Sequence, residues 1–168
     1  YKKLEKNFPH VKGRDFFDVA IRRFGIASTQ TNKIGAITDY VTVVESLVVP
    51  DGGSGGVTAK LSQRGATILG SSDKEILEIW RLLPILYGVR SGVVHGDTDR
   101  PLIIDGKTIP LDKATKRIEG LARSAIKKMI IYAQISDNVD KSHGSLTKQI
   151  EEMIYDRELL AKFRRITK

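Results

Sequence analysis

The chain has 168 residues, of which 40% are hydrophobic and 29% charged; that is enough for one domain with its own core and too apolar for disorder. Its three histidines and complete lack of cysteine exclude disulfides and thiolate zinc sites, and no apolar run approaches the roughly 20 residues of a membrane span. A net charge of +8 with pI near 9.7 leaves two readings open, a polyanionic partner or ordinary solubilising charge.

Residues 1 to 14 are polar and basic and lack an apolar signal-peptide segment. The first residue is not Met, so the expectation is the C-terminal part of a longer protein, with an upstream domain or a regulatory partner. The absence of cysteine points to the cytoplasm as its compartment. A helix is expected over about 14 to 27, where Phe16, Phe17, Ala20, Ile21 and Phe24 share a face and acidic residues sit in the first turn. A second is expected over about 33 to 49. Its apolar face is Ile37, Tyr40, Val41, Val44, Leu47 and Val48, and Pro50 stops it. The β-branched density around Val41 to Val44 also suits a strand, but the pattern is too long and too helically spaced for one.

Residues 51 to 56, with four glycines, read as a loop within the domain. A phosphate loop would need a lysine and a Ser/Thr that are missing here. A third helix spans Val57 to Leu69, and Gly70 ends it. Ser71 or Ser72 then caps a fourth helix, with Glu75 completing a capping box. This helix carries Ile76, Ile79, Trp80, Leu83, Leu86 and Tyr87, with Pro84 as a kink and an end near Gly96. Trp80 reads as a core or dimer-interface anchor.

Residues 102 to 109 give the only strand signal, a hairpin turning at Asp105 and Gly106 and packed over the helices. Residues 110 to 134 form a long helix with Ile118, Leu121, Ala122, Ala125, Ile126, Met129 and Ile130 inward. A polar loop follows over 136 to 144, and one last helix over 145 to 166. The fold class is thus all-α, an antiparallel bundle of five to six helices with a small β-hairpin after the fourth, forming one domain over 1 to 168. Local basic excesses fall at 2 to 6, 113 to 117, 127 to 128 and 162 to 168.

Chemistry concentrates at the end of the fourth helix. His95 suits proton transfer near neutral pH, and Arg90 suits a forked grip on phosphate. Ser91 lies four residues before His95 and shares its helical face. Arg90 and His95 are five apart, roughly 140° around an ideal helix, so one copy of the helix makes a poor active site. Two copies meeting across a twofold axis make a better one. Gly88, Gly92 and Gly96 recur every fourth residue. They mark either a groove for a partner helix, with Gly88 and Gly92 as dimer contacts, or a relaxed turn after Pro84 and a helix cap. Glu45 reads as a partner that orients Arg90 or as a buried structural ion pair. Asp97 and Asp99 either orient His95 or, as the favoured reading, belong to a capped, solvated turn. Tyr87 reads as a core ring with its hydroxyl outward. His10 and His143 lie in polar loops, and no histidine pair at helical metal-binding spacing exists.

Residues 86 to 96, with Tyr87, Arg90, Ser91, Val93, Val94, His95 and Gly96 in place, resemble the signature of HEPN domains, and in particular of the ApeA-like branch. The upstream helix from Asp39 through Glu45 to Leu47 resembles the Glu-x-Leu element of that branch. The resemblance covers roughly residues 14 to 135. It implies an all-α bundle, commonly dimeric, and a metal-independent ribonuclease of the kind found in toxin–antitoxin, abortive-infection and anti-phage systems. His95 would move the proton, Arg90 would hold the scissile phosphate, and the RNA 2′-OH would be the nucleophile, with no cofactor. Many family nucleases carry Asn, Asp or His where this chain has Ser91, a hydrogen-bonding residue that is no base at neutral pH. Other members are inactive and bind RNA or proteins, which is the alternative function.

Overall fold

The computed structural model describes residues 15–49, 56–96, 102–104, 106–135 and 143–167. Within them the helices are α1 (Asp15–Thr29), α2 (Lys33–Val48), α3 (Val57–Leu69), α4 (Asp73–Val94), α5 (Leu111–Ile135), α6 (His143–Tyr155) and α7 (Arg157–Ile166). Strands β1 (Ile103–Ile104) and β2 (Lys107–Thr108) lie between α4 and α5 and pair antiparallel, Ile103 opposite Thr108. The fold is an all-α bundle carrying one small hairpin.

Helix α2 is the hub, in contact with α1, α3, α4 and α5. Its sequence explains why. Ile37, Tyr40, Val41, Val43, Val44, Leu47 and Val48 are all buried, and a helix that is apolar nearly all round must be enclosed. Each such side chain stabilises the fold by about 1.5–3 kcal/mol when fully buried. The β-branched run adopts helix because Asn32 starts it, its Oδ1 accepting from Ile34 N at 3.1 Å and Gly35 N at 3.4 Å. Tyr40 meets Phe24 of α1 edge-on, ring centroids 5.4 Å apart.

Helices α3 and α4 pack closely. A Cβ on Gly65 would stand 2.5 Å from Leu83 Cδ1, so a side chain there would make the end of Leu83 move. Ser72 caps α4 by accepting from Glu75 N at 3.3 Å, while Glu75 Oε2 accepts from Ser71 N at 3.0 Å. The capping box is therefore present, with its return bond one residue early. Helix α4 runs on through Pro84. The hairpin packs on α4 through β1, with Leu102 buried beside it and Gly106 at φ 74° making the turn.

Several expectations change. The single last helix is two, because Asp156 interrupts it: its Oδ1 accepts from Glu158 N at 2.9 Å and Leu159 N at 3.0 Å, starting α7 afresh. The described residues hence carry seven helices rather than five to six. His143 is the first residue of α6, not part of a loop. Trp80 is 52% exposed and so no core residue; its neighbours Ile79 and Leu83 take the buried face. The glycine segment 51 to 55 and His10 lie outside the described residues.

Candidate functional site

The site is built where α4 ends beside α2. Arg90 sits in the last turn of α4 and reaches inward. Its Nε donates to Thr42 Oγ1 at 3.3 Å and stands 3.1 Å from Glu45 Oε2. Thr42 and Glu45 are three apart on α2 and so present one face to Arg90. On its own helix, Arg90 Cζ lies 5.3 Å from the Tyr87 ring centroid, a cation–π contact. The pair is mostly enclosed, with Arg90 26% and Glu45 19% exposed.

The ion pair is close but imperfect. Glu45 Oε2 is buried without a hydrogen-bond partner among the described residues, since the Arg90 Nε–H does not point along the contact. Burial pushes the Glu45 carboxyl above the ordinary carboxylate range, and the Arg90 charge pulls it partly back. Among the described residues, the guanidinium is engaged through Nε. Its two terminal amines have no partner among the described residues. In arginine generally such terminal amines form a fork that suits phosphate; here the Nε edge is what ties α4 to α2.

His95 lies beyond the helix proper. It is the C-cap, with φ −97° and ψ 9°. Its backbone N–H reaches Gly92 O at 3.0 Å and Ser91 O at 3.1 Å, a tightening of the last turn. Gly96 follows at φ +83°, a left-handed position that glycine accepts without strain. The turn thereby exposes the His95 ring to solvent. Arg90 points at α2 and His95 points out, and no contact joins them in the chain.

Comparisons with protein-family models, with curated proteins and with solved structures find no match. The residues themselves therefore carry the functional argument.

Ser91 is half-buried. Its backbone carbonyl serves the His95 cap, and no described side chain bonds its hydroxyl. Tyr87 is half-buried and packs against the core, with its ring used by Arg90. Gly88 faces open space, with nothing within 4 Å of a would-be Cβ, whereas Gly92 is buried inside the chain. Asp97 and Asp99 lie outside the described residues. The structure thus brings Arg90, Glu45 and Tyr87 together with Thr42, and leaves His95 and Ser91 at the rim.

Sequence reading missed Thr42, which the i, i+3 relation to Glu45 makes visible once α2 is a helix. It also missed two other charged residues of the interior. Arg64, 2% exposed on α3, pairs with Glu151 on α6 and donates to Val48 O at 3.4 Å. Asp39, 6% exposed on α2, accepts from Arg23 at 2.9 Å and from Gln30. Neither charge stands out in sequence, because single charges within amphipathic helices usually lie on the wet face.

Proposed function

We propose that the chain is a HEPN-like endoribonuclease domain that cleaves RNA without a metal and works as a homodimer. The observation that carries this reading is the division of labour within Arg90. Glu45 and Thr42 hold its Nε edge, and its terminal amines make no hydrogen bond to a described residue, five positions from an exposed His95. In the proposed reaction the ribose 2′-oxygen attacks phosphorus and the P–O5′ bond breaks. The products are a 2′,3′-cyclic phosphate and a free 5′-hydroxyl. One His95 takes the 2′-OH proton, and the His95 of the second copy gives a proton to the leaving oxygen. Arg90 balances the charge that builds on the phosphoryl oxygens. Two copies are required because a single chain points Arg90 inward and His95 outward.

A second reading rests on the same ion pair. If Arg90 serves only to pin α4 to α2, the domain binds RNA or a protein without cutting it. His95→Ala separates the two. It abolishes RNA cleavage in chelator-containing buffer, with the dimer intact by light scattering, if the chain is a nuclease. Wild-type protein that cuts no RNA, or a variant that cuts as well as wild type, refutes the nuclease.

A further inference from the structure

Among the described residues, a cluster of positive charge lies away from Arg90 and His95. It is a cleft of about 1170 Å³ bounded by the end of α3, the start of α4, the middle of α5 and helices α6 and α7. Lys127, Lys128, Arg157, Arg164 and Arg165 line it, against Asp73 as the one acidic lining residue described. Neither Arg90 nor His95 is among its walls.

Two of these cations are fixed by the fold. Lys128 Nζ donates to Ile68 O at 2.9 Å, and Arg164 donates to Thr67 O at 3.2 Å. Both carbonyls belong to the last turn of α3, whose negative end draws cations. The anchoring is incomplete, because Arg164 Nε is buried with no hydrogen-bond partner among the described residues. Burial pushes the Lys128 ammonium below the ordinary lysine range, Arg164 and Lys127 push it further, and Glu75 opposes them. The cleft therefore holds like charges that repel one another, on rigid helices, around a space large enough for a ligand.

We propose that this cleft binds an oligophosphate, a linear run of phosphate groups such as inorganic triphosphate or the tail of a nucleoside triphosphate. The cations converge from two helices, α5 and α7, on one bounded space rather than tracking along a surface. An oligophosphate matches that arrangement because its neighbouring phosphates share a bridging oxygen, whereas a ribose separates each charge of a nucleic-acid strand. The terminal phosphate adds a second charge near neutral pH. Forked arginines and a point-charge lysine are the usual grips for such groups.

The test is calorimetric titration of the whole chain with sodium triphosphate, ATP and a short oligoribonucleotide at about 150 mM salt. The variant Arg157→Glu/Arg165→Glu removes two exposed cations and spares Lys128 and Arg164, which hold the fold. Arg22→Glu/Lys107→Glu makes the same change in net charge elsewhere. Triphosphate binding that falls at least about tenfold in the first variant and not in the second supports the site. Equal affinity for ATP and triphosphate identifies the phosphate chain alone as the ligand, and tighter ATP adds a nucleoside contact. No binding of triphosphate, equal loss in both variants, or RNA binding at this cleft without triphosphate binding overturns the proposal.

Discussion

Removing Arg90 should unmask a buried carboxylate, and the size and pH dependence of the loss can be worked from the geometry. At 3.1 Å and an effective dielectric of about 20, the gross attraction between Arg90 and Glu45 is about 5 kcal/mol. Desolvation of two mostly enclosed ions offsets most of it. Arg90→Ala leaves Glu45 in its pocket without the cation, and also removes the bond to Thr42 and the contact with Tyr87. Truncating one partner of a fully buried pair costs about 3–5 kcal/mol; with 19–26% exposure here, about 2 kcal/mol is expected. The pH signature follows from the raised carboxyl. A group that holds its proton more tightly when folded favours the folded state at low pH, and loses that contribution as pH rises through its folded value. Burial already raises Glu45, and Arg90 is what lowers it, so the variant's carboxyl rises further. The deficit against wild type should accordingly be largest above neutrality and shrink as pH falls toward the ordinary carboxylate range. Glu45→Gln in the Arg90→Ala background should recover part of it. Urea denaturation at several pH values measures all three chains. A loss below about 0.5 kcal/mol, a deficit independent of pH, or no recovery with Glu45→Gln would refute the reasoning.

Other variants probe the site and the frame separately. His95→Ala should change stability by no more than about 0.5 kcal/mol, because the cap uses only its backbone and the ring is exposed; thermal melting checks this alongside the cleavage assay. Gly88→Ala should stabilise the isolated chain by about 0.5–1 kcal/mol, since a Cβ meets nothing there, yet weaken the proposed dimer if a partner helix approaches at that glycine. Sedimentation that shows an unchanged dimer would reduce Gly88 to a helix residue with no contact role. Asp156→Ala should cost about 1 kcal/mol, because it removes the cap of α7 at Glu158 and Leu159. Denaturation midpoints report it, and an unchanged midpoint would mean that α6 and α7 are held by packing alone.

The frame was legible wherever one periodic pattern filled one element. Helices α2 and α3 match their expected spans to within a residue because Asn32, Gly56 and Gly70 punctuate them. Asp156 was illegible for the opposite reason. The apolar spacing continues across it from Ile150 and Met153 to Leu159 and Phe163, so periodicity reads one helix, and only the side-chain cap reveals two. Trp80 shows a second limit. Periodicity assigns it to the apolar face of α4, but Ile79 and Leu83 fill the space against α2 and α3, and the larger ring is left outside. At the site, the identities of Arg90, Glu45 and His95 were legible. The use of Nε against α2, Thr42 as its acceptor and the helix end at Val94 were not, because each depends on how α4 meets α2. The basic cleft was visible only as two separate clusters, Lys127 with Lys128 and the C-terminal arginines. Their meeting requires α5 and α7 to lie side by side.

Ideal helical geometry already separates Arg90 from His95 by roughly 140°, and the way α4 ends does not bring them into contact. The tightened turn over Gly92 and the left-handed Gly96 carry His95 off the helix, while Glu45 and Thr42 draw Arg90 toward the core. A site assembled within one chain would have to break one of these arrangements. Breaking the first costs a cap, and breaking the second strands the carboxylate of Glu45. Bringing up a second copy disturbs neither. Its exposed His95 can approach the terminal amines of Arg90 while each chain keeps its own ion pair. On this argument the pair that stabilises α2 against α4 and the proposed two-chain cleavage site are consequences of the same guanidinium. Arg90→Lys should divide them: the lysine ammonium can still neutralise Glu45, but it has no fork with which to hold a phosphate.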